Sequence, residues 1–332
     1  MAGREVFLTG ATGFIGSRLT ERLLARGDRL RCLVRNPSAA AHLEARGVKL
    51  IEGDISDPVA LERGLRGADL AYHLAALYDI GVVDEAAMER INVDGTQAFL
   101  RAVAHQGTPR AIYVSSTAAF GPAPPGTVGD GSAEWKGPYP TIYHRTKAQA
   151  HRMAREAQRK GVPLIIVSPA NVYGPGDTGP NGRFVRDLVH GRVPGLLANA
   201  GWYSYVHVDD VVDALVAAAD VGKPGEHYIL AGEDLDVNTF AERVARLAGK
   251  RAPRLRLPKR VALPLASVMD RLARATGRKF PMSREIIELS VGHRWLHDSP
   301  RAREDLGYRP RSLEEGLPEM VASYAKVNAK GR

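Results

Sequence analysis

Residues 9–16 read TGATGFIG and set glycines at positions 10, 13 and 16, between a short apolar run, EVFL, and a helix-like stretch, SRLTERLLARG. No other feature constrains the fold as strongly. At the turn from a first strand into a first helix, Gly10 permits a tight turn. Gly13 lets the backbone approach a pyrophosphate, and Gly16 lets helix and strand pack closely. The helix N-terminus adds free N–H groups and the positive end of a dipole. The alternative is a helix start with packing glycines. The surrounding pattern decides between them.

That pattern alternates. EVFLTG, LRCLVRN, KLIEGDI, LAYHLAA, RAIYVSST and PLIIVSP read as six strands, with helical stretches at 16–27, 38–46, 58–66, 84–106 and 141–160. Such alternation predicts a doubly wound parallel sheet of Rossmann type, and the unbroken apolar runs suit strands buried on both faces. After Pro169 the segment ANVYGPGDTGPNGRF reads as loop. YSYVHVDDVVDALVAAAD reads as a strand and a helix opened by Asp209 and Asp210, EHYILAG as one more strand, and residues 236–330 as mostly helical. The expected division is a dinucleotide-binding unit, 1–168 plus 204–230, and a smaller substrate lobe, 169–203 plus 231–330.

Composition narrows the class. With 332 residues the chain can bury a large core, and its one cysteine, Cys32, excludes an internal disulfide framework. A cytoplasmic location is expected, because the N-terminus lacks a signal core and no run is long enough to span a membrane. The net charge of +9 is spread along the chain, which suits an anionic small molecule better than nucleic acid. Residues 259–275, KRVALPLASVMDRLARA, form a basic amphipathic stretch. It could lie on a membrane surface. Packing over the substrate cleft is the plainer reading, since Pro264 interrupts it and its apolar face is short.

Two further sites carry chemistry. At the end of the second strand, where NAD sites place an acid, CLVRN has Arg35, which suits the 2′-phosphate of NADP through charge and forked hydrogen bonds. NADP(H) is therefore favoured, with NAD(H) still open. Asp54 ends the third strand, where it either meets the adenine or serves as a loop residue or cap. YHRTK puts Tyr143 and Lys147 on one helix face, one turn apart. A neighbouring ammonium is expected to lower the phenol pKa, which makes Tyr143 a candidate acid/base. Ser116, at the carboxyl end of the fifth strand, can hold a carbonyl or hydroxyl oxygen, and only one of Ser115 and Ser116 should face the site.

Together these residues resemble the extended short-chain dehydrogenase/reductases over nearly the whole chain. The shared segments include TGATGFIG, GDI, HLAA at 73–76, NVDGT at 92–96, VSST, the Tyr143/Lys147 pair, SPANVYGPGD at 168–177, YVHVDDVV and SPRAREDLGYRPRSLEEGL at 299–317. The resemblance implies Tyr143 as acid/base, Lys147 as its pKa modulator and ribose ligand, and Ser116 as the residue orienting the reacting oxygen. It implies that Gly10, Thr12, Gly13, Phe14, Ile15 and Gly16 cradle the pyrophosphate, and that Asp54 and Ile55 join the cofactor set. Leu74, Ala75 and Ala76 would line the groove, Pro169 and Val172 would flank the nicotinamide, and Asn92 would be structural or a water anchor. A homodimer through the helices of 84–106 and 141–160 is the family's habit.

Within the family, Thr117 and Ala118 stand where sugar dehydratases carry an Asp-Glu pair, and Tyr203 stands where nucleotide-sugar enzymes place a diphosphate-binding arginine. Ser168-Pro169 replaces the common Arg-Pro. LVRNP resembles the NADP-binding turn of dihydroflavonol-reductase-like members, beside which stand the 3β-hydroxysteroid-dehydrogenase-like ones. The expectation is a reductase of a small, largely apolar ketone. Trp202, Tyr203 and Tyr205 form either a substrate wall or ordinary core. The rivals are a nucleotide-sugar 4-epimerase with tightly held NAD, and a non-enzymatic dinucleotide sensor. An intact Ser116, Tyr143 and Lys147 count against the sensor.

Overall fold

The computed structural model describes residues 3–132, 135–278, 280 and 282–327. Its first strands are β1 (Glu5–Thr9), β2 (Arg29–Val34), β3 (Lys49–Glu52), β4 (Leu70–His73), β5 (Ala111–Val114) and β6 (Leu164–Pro169). They are followed by β7 (Asn171–Tyr173), β8 (Gly195–Leu197), β9 (Trp202–His207), β10 (His227–Leu230), β11 (Glu233–Asp236), β12 (Leu255–Leu257) and β13 (Arg294–Trp295). The helices are α1 (Phe14–Ala25), α2 (Ala41–Glu44), α3 (Pro58–Leu65), α4 (Glu85–Glu89), α5 (Gly95–Gln106), α6 (Ile142–Arg159) and α7 (Pro180–Val189). Beyond them come α8 (Val208–Asp220), α9 (Val237–Leu247), α10 (Lys259–Thr276), α11 (Arg284–Ser290), α12 (Pro300–Leu306) and α13 (Leu313–Val327).

Seven parallel strands form the main sheet in the order β10-β6-β5-β4-β1-β2-β3. Both faces are covered, which is why the strands read as continuous apolar runs. Val6 and Leu8 of β1 face a core completed by Leu19 and Leu23 of α1 and Leu215 of α8. Phe7, between them, faces the opposite core with Leu61 of α3, Phe99 of α5 and Ala150 of α6. The chain runs outward from β1 to β3, then returns to the other side of β1 as β4. That reversal opens a crevice at the carboxyl ends of β1 and β4, where open α/β sheets bind ligands.

The remaining elements build the smaller lobe. A second sheet of β11, β9, β13 and β7 carries a core of Tyr173, Val185, Leu188, Tyr205, Phe240 and Met320. β9 belongs to this sheet, and the chain returns to the main sheet with α8 and β10.

Three local expectations need correction. ANVYGPGDTGPNGRF is not all loop: Asn171–Tyr173 pairs in parallel with Tyr205–His207, and α7 starts at Pro180. Proline in the first helical turn fits because its missing N–H is unbonded there anyway. Pro264 does not interrupt its helix; α10 runs unbroken from Lys259 to Thr276. Only the Arg260 carbonyl loses its intrahelical partner, and Arg260 is exposed, so water can serve it. The stretch at 84–106 is helical but passes through a π-helical turn at Arg90–Asp94. Residues 328–330 of the expected helical tail lie outside the described residues.

Candidate active site

The glycine turn closes by backbone contact. Gly10 adopts φ +81°, and a Cβ there would stand 2.7 Å from Ala75 N, in the segment after β4. A Cβ at Gly16 would stand 2.0 Å from the Gly10 carbonyl oxygen. Neither position has room for a side chain. Gly13 caps α1 with no side-chain hydrogen bond, so the first-turn N–H groups of Phe14 and Ile15 have no capping acceptor. Thr12 and Gly13 are exposed beside them. Across the crevice, Leu74 N–H donates to Thr9 O at 3.1 Å, and Ala75 N–H donates to Thr9 Oγ1 at 3.4 Å. Leu74 and Ala75 are half-buried and Ala76 is exposed, so this segment floors a groove. An uncapped helix start facing a groove of backbone and small side chains fits a dinucleotide diphosphate.

At the far end of the crevice, Arg35 follows β2 and is exposed. Asp54 follows β3, and its Oδ1 accepts from Ser56 Oγ at 2.7 Å and Ser56 N–H at 3.0 Å. The Ser56 hydroxyl, aided by the charges of Arg90 and Arg35, holds the Asp54 carboxyl below its usual range. Asp54 is thus a loop-ordering acid lying between two cations. Ile55 turns its side chain into the core, where it fills the space above Gly95, and leaves only its backbone towards the groove. Pro169 ends β6 and is buried; Val172, on β7, packs partly buried against the main core.

Ser116, Tyr143 and Lys147 meet at the carboxyl end of β5. Ser115 and Ser116 point to opposite sides. Ser115 Oγ lies 3.0 Å from His151 Nδ1 in the interior, whereas the Ser116 hydroxyl lies near enough to the Tyr143 phenol to favour its ionised form. Ser116 also caps the short turn after β5, its Oγ accepting from Ala118 N–H at 3.2 Å. The start of α6 is fixed by Thr141, whose Oγ1 accepts from His144 N–H at 3.3 Å. One turn further on, Lys147 Nζ donates to the Val114 carbonyl at 3.1 Å and lies 5.2 Å from the centre of the Tyr113 ring.

The electrostatics reverse one expectation. The Tyr143 pKa does not fall; burial pushes it up to about 12, against the opposing pull of the nearby Ser116 hydroxyl. Burial likewise pushes Lys147 down to about 7. The lysine is turned to a backbone carbonyl and is itself desolvated, so it offers the phenol little positive charge.

Several contributors have no periodic signal in the sequence. Tyr78, in the loop after β4, sets its ring 4.7 Å from that of Tyr143. Burial raises the Tyr78 phenol well above its usual pKa, and Tyr143, Asp177 and Tyr203 add to the effect. Asn92 is structural: it accepts from Leu77 N–H at 2.7 Å, donates to Leu77 O at 3.0 Å and to Thr146 Oγ1 at 3.1 Å. It thereby ties the loop of Tyr78 to the helix of Tyr143. Of the three candidate wall aromatics, Tyr205 is core, stacked on Phe240 at 4.3 Å. Tyr203 is half-buried, and Trp202, at the surface, lies under Arg294.

Similar proteins share this architecture. Sterol demethylase protein B of Methylococcus capsulatus is 33% identical over 327 residues, covering 95% of this chain and 96% of that one. The 4-hydroxy-2-methyl-3-oxo-4-farnesyl-3,4-dihydroquinoline-1-oxide ketoreductase of Stigmatella aurantiaca is 29% identical over 318 residues, covering 94% of each chain. The solved structure of gox2253 superposes with a TM-score of 0.83 at 32% identity, covering 98% of this chain and 99% of that one. No helix among the described residues is long and apolar enough to cross a membrane. Residues 6–231 match the model of the NAD dependent epimerase/dehydratase family, and with the glycine turn, the crevice and these full-length likenesses in hand, the chain belongs to that family.

Proposed function

We propose that the protein transfers hydride between NADPH and the ketone or secondary alcohol of a small, largely apolar substrate. The observation that carries the reading is the convergence of Ser116, Tyr143 and Lys147 at the carboxyl end of β5, the same sheet edge as the glycine turn after β1, two strands away. The bound nicotinamide would supply or accept the hydride. Ser116 would hold the reacting oxygen, and Tyr143, a neutral phenol across the physiological range, would donate the proton. The first turn of α1 would hold the diphosphate, with Leu74, Ala75, Ala76, Pro169 and Val172 along the cofactor and Arg35 on the 2′-phosphate. Residues 1–168 plus 204–230 would serve the cofactor, and 169–203 plus 231–330 the substrate. A cytoplasmic homodimer is part of the same reading.

Three features support an apolar substrate. Tyr203 offers no charge where a diphosphate would sit, the phenols of Tyr78 and Tyr143 lie together, and two relatives are named for a sterol and a farnesylated quinoline. The family's own description favours a second reading, a nucleotide-sugar epimerase that keeps its NAD. Identifying the nucleotide released on denaturation, then titrating NADP and NAD into the emptied protein, separates the two. Exchangeable binding that prefers NADP supports the reductase; near-stoichiometric NAD that survives purification overturns it. Arg35→Asp should weaken NADP roughly 10- to 100-fold with little change for NAD, the worth of one charge-assisted contact. Equal weakening of both would remove Arg35 from phosphate recognition.

A further inference from the structure

Helix α10 buries its small residues and exposes its large ones. Ala262, Ala266, Asp270 and Ala273 form the covered face. Ala262 and Ala266 pack with Ile287 of α11, and Asp270 accepts from Arg284 N–H at 3.1 Å. On the open face, Val261 is 52% exposed, Leu265 42%, Val268 52% and Leu272 47%. Their spacings of four, three and four residues, at ~100° each, gather them into a sector of about 60° and a stripe about 16 Å long.

The surroundings of the stripe are cationic. Arg254, Arg260, Arg271, Arg274 and Arg278 are exposed and form no ion pair among the described residues. By helical position Arg260 and Arg271 flank the stripe on one side. The single acid of α10, Asp270, is on the covered face. A narrow apolar stripe bordered by unpaired arginines is the signature of a helix that lies in a membrane interface.

We propose that this face docks on an anionic phospholipid bilayer. α10 lies in the headgroup plane, Val261, Leu265, Val268 and Leu272 enter the acyl boundary, and the arginines meet lipid phosphates. A second copy of the chain fits less well, because two arginine collars would face each other without counter-charge. The position is apt. Glu285 of α11 accepts from Gly81 N–H at 2.9 Å, in the loop that carries Tyr78, so the α10–α11 pair borders the candidate site. The proposal stands apart from the reaction suggested above, since vesicle binding reads no chemistry.

The test is co-sedimentation of the full chain with phosphatidylcholine vesicles, with and without phosphatidylglycerol. The protein should pellet only with the anionic vesicles and be released by salt. Leu265→Glu with Val268→Glu should lower partitioning roughly tenfold or more. Arg260→Gln with Arg271→Gln should lower it about fivefold per charge at low salt. Leu265→Ser is the milder substitute should the double variant melt early. No sedimentation of the parent chain with anionic vesicles overturns the proposal, as does undiminished binding by the folded apolar-face variants. So does a dimer, seen by sedimentation equilibrium, that these variants dissociate while the parent chain ignores vesicles.

Discussion

α6 and α10 are both eighteen residues long and amphipathic, yet they treat polarity in opposite ways. α6 carries polar side chains inward and gives each a partner. His144 Nδ1 lies 2.8 Å from Thr141 Oγ1, Thr146 meets Asn92, Lys147 meets the Val114 carbonyl, and His151 meets Ser115. α10 carries apolar side chains outward and leaves them uncovered. Polar groups are buried only where they are hydrogen-bonded, so the inner face of α6 is ordered for work inside the fold. Large apolar groups gathered on a surface mark contact with something outside it. Pattern alone gives two faces. Neighbours decide which face is covered.

The contrast can be broken from either side. The largest effect is expected at α6: Tyr143→Phe should lower turnover by roughly 10²- to 10⁴-fold, the worth of a positioned acid/base, while sparing dinucleotide binding and vesicle binding. Unchanged turnover would remove Tyr143 from the chemistry. Next comes Lys147, whose folded pKa lies near 7 against an unfolded value near 10.5. Between those values the folded chain binds fewer protons than the unfolded one, so stability should rise with pH across that window, and the full penalty should persist below it. Lys147→Met should remove that rise, and parallel melting-temperature profiles for the two proteins would refute the burial effect. The smallest effect tests α10 itself. Ala266→Leu, on the covered face, should destabilise by about 1–3 kcal/mol through overpacking, whereas Leu265→Ser, one residue away, should stay within about 0.5 kcal/mol. Equal losses in denaturant melts would mean that the two faces are not distinct.

The contrast also separates what the chain announces from what it hides. The main sheet was legible because buried parallel strands are continuous apolar runs and glycine fixes the turn after β1. Strand alternation separated Ser116 from Ser115, and helical spacing put Tyr143 and Lys147 on one face of α6, whereas only the family resemblance implied that the two elements meet. β7 was not legible: three residues among glycine and proline have no period to read, and only the edge of β9 makes them a strand. Nor was Tyr78, since a loop aromatic has no register. The direction of the Tyr143 pKa failed for a different reason. Spacing reports proximity to Lys147, whereas the shift depends on how dry the neighbourhood is. In α10 the Val261–Leu272 stripe and the Ala262–Ala273 stripe are equally periodic, and the sequence does not rank them.

Cys32 has a practical consequence for labelling the protein. It sits at the centre of β2, fully buried in the core beneath α1, and burial pushes its thiol up to about 12. The thiolate is the reactive form, so the only native sulfhydryl is chemically silent in the folded chain. The protein is therefore ready for site-specific probes: a cysteine introduced anywhere on its surface would carry a fluorophore or spin label alone, against no background from the native thiol.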